Sequence, residues 1–132
     1  SRMLGLARET ARRMIAEAAD AIYPDAIFVF HAGILTDLAV ETGAPVVVHV
    51  SAADLAATVD RPSLRRLVRA AIGSSDGIVA ANDAVASDLG QDWLVDDPDA
   101  CQRCETWPID TPDAPLKIAA ACRAALARRR GE

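Results

Sequence analysis

Three short apolar runs in this chain each stop on polar groups. Phe28-Val29-Phe30 runs into His31-Ala32-Gly33, Val46-Val47-Val48 into His49-Val50-Ser51, and Ile78-Val79-Ala80 toward Asn82-Asp83. Stretches with helical periodicity separate them, and strands alternating with helices in this way fold as a parallel sheet with crossover helices. In open sheets of that kind ligands bind in the crevice at the carboxyl ends of the strands. Both histidines of the chain fall at such ends. The expectation is an α/β, three-layer, Rossmann-like domain with a mostly parallel sheet of about four strands, right-handed crossovers carrying helices to both faces.

The spacing of Leu4, Ala7, Ala11, Met14, Ala18 and Ile22 predicts an amphipathic first helix, broken by Tyr23-Pro24-Asp25. A buried strand is expected over Ala26 to Phe30. Gly33 then allows a tight turn into a short helix that Gly43 stops. Asp60 is a plausible N-cap ahead of Pro62, and Leu64, Leu67, Val68, Ala71 and Ile72 predict the clearest helix of the chain. Asn82 or Asp83 can cap the next helix, which Gly90 closes. The pattern then dissolves into a loop from Gln91 to Glu105, with a helical turn at Cys101 to Cys104. A fourth strand is expected over Thr106 to Ile109, and a terminal helix carries Ile118, Cys122, Ala125 and Leu126 on one face.

At 132 residues the chain is read as one domain, 1–132. Lys and Arg number 14 against 19 Asp and Glu, a net charge of −5, which argues against non-specific binding to nucleic acid or to an anionic membrane. No run is long enough to span a bilayer and no leader pattern opens the chain, so a cytoplasmic location is expected. The three cysteines are expected to be reduced thiols. Cys101-Gln102-Arg103-Cys104 has metal or redox spacing, but no second such pair or nearby histidine completes a four-ligand site. Asp97-Pro98-Asp99 is read as a chance acidic spacing in an acid-rich loop.

Four segments in order carry a family resemblance. They are Pro24 to Gly33 with Ile34-Leu35-Thr36-Asp37-Leu38-Ala39, Gly43-Ala44-Pro45 through Leu55, Leu64 through Leu89, and Trp107-Pro108-Ile109-Asp110. Together these resemble the N-terminal, acceptor-side domain of GT-B glycosyltransferases, most closely the large retaining group called family 4. There the corresponding texts read PDVVHAHG, GVPVVVTLHGSDL, RRLLRRALRRADRVIAVSEALRDDL and IPNGVDTERF. The family's opening strands and its donor-binding half have no counterpart in this sequence.

The resemblance implies participation in glycosyl transfer from a nucleotide-sugar donor to an acceptor, with no cofactor or metal of its own. His49 would lie close to the reacting sugar as the catalytic residue. His31, Gly33, Ser51, Asp54 and Asn82 would line the acceptor side. Imidazole suits such work because its protonation changes near working pH. Ser51 could equally cap a turn and Asn82 a helix. The implied partners are a sugar acceptor, a donor supplied by the other half, and a second copy or partner chain covering the first helix. The alternative function is a non-catalytic Rossmann-like binding or assembly module.

Overall fold

The computed structural model describes residues 2–131. Four strands form one parallel sheet: β1 (Ile27–Val29), β2 (Val46–Val50), β3 (Gly77–Ala80) and β4 (Cys104–Thr106), in the order β1-β2-β3-β4. The register pairs Phe28 with Val47, Val48 with Ile78, and Ile78 with Cys104. β2 is inaccessible along its whole length, as a central strand covered on both faces must be. Among the described residues seven α-helices accompany the sheet: α1 (Arg2–Ile22), α2 (Thr36–Glu41), α3 (Ala52–Ala56), α4 (Pro62–Ser74), α5 (Asp83–Asp88), α6 (Pro98–Gln102) and α7 (Ala114–Arg129). The three-layer α/β architecture expected from the apolar runs is therefore present.

Helices reach both faces, but the crossovers do not carry them there. Because the strand order never reverses, successive crossovers of one hand all fall on the same side. Val48, Val50, Ile78 and Ala80 pack there against Leu55 of α3, Val68 and Ile72 of α4, and Val85 of α5. The opposite side, with Val47 and Val79, is covered by Ala121 and Ala125 of α7 and by Trp107. Trp107 stacks on Phe28 at a centroid distance of 6.5 Å. Arg129 fastens the end of α7, donating to Asp76 at 2.6 and 3.2 Å and to the Gly43 carbonyl at 3.0 Å.

Several local expectations are corrected. The fourth strand lies at Cys104–Thr106, two residues ahead of the predicted one, because Trp107 already turns its ring into the core. The stretch expected as loop contains a π-helical turn at Leu89–Trp93 and the helix α6, so Gly90 sits inside a helical segment and does not end one. Leu89, Trp93, Leu94 and Ala100 drive this order by packing on the crossover side of the sheet. The residue flanking α4 is Arg61, with Pro62 in the first turn, and no side chain caps that helix. Gly43 does end α2, with φ of 84°, a conformation that glycine adopts without steric cost.

α1 stands apart from this packing. None of its described side chains is buried, and Met14 and Ile22 are 65% and 72% exposed. Arg8 ties it to α2 through Asp37 at 2.8 Å and to the segment before α2 through the Ile34 carbonyl, and Arg12 reaches Glu41 at 3.0 Å.

Candidate functional site

The polar side chains singled out in the sequence gather at the carboxyl ends of β1, β2 and β3. β1 ends beneath the turn Phe30 to Gly33, which is fastened to β2 by two contacts with His49. The Ala32 N–H donates to the His49 carbonyl at 3.1 Å, and His49 Nδ1 lies 2.9 Å from the Phe30 carbonyl oxygen. A carbonyl can only accept, so Nδ1 carries a proton, and in the neutral ring Nε2 is then the acceptor. His49 is only 3% exposed, and Nε2 is the one buried side-chain nitrogen or oxygen among the described residues with no hydrogen-bond partner.

His31 has the opposite character. Its side chain is 75% exposed, and Nδ1 lies 3.4 Å from Oδ1 of Asp54. Its ring stands edge-on to that of His49, with centroids 6.5 Å apart. The other Asp54 oxygen accepts from the Ser51 N–H at 2.9 Å, while Ser51 Oγ accepts from the Asp54 N–H at 3.3 Å. This reciprocal capping box starts α3 and satisfies two otherwise unpaired N–H groups. It also fixes the carboxylate beside His31. A carboxylate that holds one imidazole nitrogen leaves the other nitrogen oriented for proton exchange at the surface.

The remaining candidates have local explanations. Asn82 caps α5, its Oδ1 accepting from the Val85 N–H at 3.0 Å. It lies one strand away from His49 and two from His31, and the Ala81 N–H beside it donates to the Val50 carbonyl of β2 at 2.9 Å. Gly33 allows the tight turn expected of it, but does not make that turn depend on glycine. Its backbone avoids the left-handed region, and a Cβ there would meet only the His31 carbonyl oxygen, at 3.9 Å. Instead the buried hydroxyl of Thr36 shapes the turn, accepting from the Gly33 N–H at 2.9 Å. Thr36 was missed because a threonine at the start of a helix has no distinguishing mark in the sequence. Asp97 caps α6 by accepting from the Ala100 N–H at 3.0 Å, a structural role for the acidic Asp97-Pro98-Asp99 stretch.

Cys101, at the end of α6, and Cys104, opening β4, both pack half-buried against the core cluster on the crossover side. Burial, with the nearby Cys101 adding to it, pushes the Cys104 thiol above its ordinary value. Both effects favour the protonated thiol. Among the described residues no group of three His, Cys, Asp or Glu side chains is placed to hold a metal ion, and no helix is long and apolar enough to cross a membrane. In comparisons with known proteins, no family model and no curated protein matches the chain.

Proposed function

We propose that this chain is the acceptor-side domain of a GT-B-like glycosyltransferase, binding a polyhydroxylated acceptor at the carboxyl ends of β1 and β2. The observation that carries the reading is the unpaired Nε2 of His49, buried beneath the turn that holds His31 and beside the Asp54–His31 pair. A buried acceptor without a donor costs about 1–3 kcal/mol, and a sugar hydroxyl donating to it would remove that cost. His49 is the residue assigned to the reacting hydroxyl. His31, oriented by Asp54, serves the acceptor at the open side. Ser51 contributes by fixing Asp54, and Asn82 and Gly33 border the crevice.

Transfer requires donor and acceptor to be held together, so a domain offering only the acceptor side is a poor catalyst by itself. Imidazole NMR resonances provide the test. Titration with methyl glucoside and methyl mannoside at millimolar concentration should shift both histidine rings, whereas UDP-glucose and GDP-mannose should show no micromolar binding. Unmoved histidine signals across the glycosides, or tight nucleotide-sugar binding, would overturn the assignment.

A second reading, a non-catalytic binding or assembly module, is favoured by one observation. α7 follows β4 directly and covers the second sheet face with the chain's own residues, where the resemblance leads into a donor half. In that case α1, with no buried side chain among the described ones, is the surface that meets a second copy or a partner.

A further inference from the structure

A cavity of about 380 Å³ opens between α1, the segment following β1, and the start of α4, lined by Arg8, Ile34, Arg61, Ser63, Leu64 and Leu67. Crossover helices run back against their strands, so the start of α4 lies at the carboxyl end of the sheet, as does Ile34 beyond the end of β1. The cavity therefore occupies the crossover side of the ligand-binding end, whereas His49 shares a sheet face with Val47, toward α7. Its size is within the range of small-molecule sites, which are mostly apolar with a few placed polar groups.

The lining divides by chemistry. Ile34, Leu64 and Leu67 form an apolar wall, and Leu64 continues it into the core cluster. The two guanidinium groups differ in state. Arg8 is committed, donating to the Ile34 carbonyl and to Asp37, so it serves as a neutralised strut. Arg61 has no hydrogen-bond or ion-pair partner for its side chain among the described residues, and the Ser63 hydroxyl lies beside it in sequence at the same rim. α4 has no side-chain cap, so its macrodipole adds positive potential at this end.

We propose that this cavity binds a single-chain amphiphile with an anionic head, its apolar body against Ile34, Leu64 and Leu67 and its head on Arg61 and Ser63. The argument is charge complementarity joined to an apolar wall: Arg61, a cation with no ion-pair partner among the described residues, stands at the same cavity as three apolar side chains. The site is independent of the histidine crevice and of its assignment to glycosyl transfer.

Calorimetry with decanoate and decyl phosphate, both below their micellar concentrations, tests the proposal, with decanol and inorganic phosphate as controls. Saturable one-to-one binding of at least one anionic amphiphile is expected, and the two arms show whether a carboxylate or a phosphate head is preferred. Decanol should bind at least about tenfold more weakly, and phosphate alone should not bind, because each lacks half of the recognition. Arg61→Glu should weaken the anion by about tenfold or more. Arg123→Glu, an exposed change on α7 at the opposite face of the sheet, should leave binding within about twofold, since screened surface charges contribute little. Thermal melts of both variants monitor folding. Equal losses for Arg61→Glu and Arg123→Glu, decanol binding as tightly as decanoate, or no saturable binding by either amphiphile would overturn it.

Discussion

Replacing His49 with leucine asks whether this histidine is present for the fold or for a ligand. The side chain is 3% exposed, and at such a position in a central strand a change of shape would ordinarily be costly. His49→Leu removes one hydrogen bond, from Nδ1 to the Phe30 carbonyl at 2.9 Å, with a net worth of about 1 kcal/mol. It also removes the unpaired Nε2, whose burial costs about 1–3 kcal/mol. The two effects oppose each other, so the variant should lie within about 1 kcal/mol of the parent or be slightly more stable. Leu38→Ala, at a site 1% exposed, provides the scale, with an expected loss of about 2–5 kcal/mol. Urea unfolding of both variants, with unchanged m-values, is the measurement. A loss for His49→Leu as large as that for Leu38→Ala would show that Nε2 has a structural partner, and would remove the main support for assigning it to a ligand.

Ser51→Ala and Asn82→Ala should each lower the unfolding free energy by about 1 kcal/mol by removing N-caps; losses below a few tenths would mean that the caps seen at α3 and α5 contribute nothing. Gly33→Ala should be neutral within about 0.5 kcal/mol whereas Gly43→Ala should destabilise by about 1 kcal/mol or more, because only Gly43 holds a left-handed backbone. Cys104 and Cys122 have thiols raised by burial above the ordinary value of 9.0. The unfolded chain therefore loses these protons first on the alkaline side. The stability they contribute is complete below that value and falls as the pH rises through it; chemical denaturation from pH 7.5 to 10 should show that fall, and Cys104→Ala with Cys122→Ala should flatten it.

The strands were legible because fully covered parallel strands read as continuous apolar runs, and Val46 to Val48 and Ile78 to Ala80 are such runs. β4 was misplaced because its own residues, Cys104, Glu105 and Thr106, carry no apolar run; the strand exists through pairing with β3. The helical order after α5 was hidden for a related reason. Its anchors, Leu89, Trp93, Leu94 and Ala100, are spaced by no single period, since a π-helical turn interrupts them. At the site, residue types at strand ends marked Ser51, Asp54 and Asn82 as candidates, and the structure places Ser51 and Asn82 as N-caps of the helices that follow β2 and β3. Whether a histidine there is buried or exposed depends on which face of the pleat it joins and on how the following turn folds over it. His49 and His31 look alike in the sequence and differ most in the structure.

The one-way strand order has a consequence for the chain as it is made. The crossover side of the sheet is closed progressively as each helix between strands is synthesised, but the side bearing Phe28, Val47 and Val79 waits for α7. Twenty-three residues separate Thr106, the end of β4, from Arg129, the end of α7. At ribosomal speed that is a delay of about 1–5 s, far longer than a helix takes to form. During it the nascent domain presents a finished sheet with one greasy side open. That is a surface on which holdase chaperones, or neighbouring nascent copies on the same message, compete with the chain's own last helix.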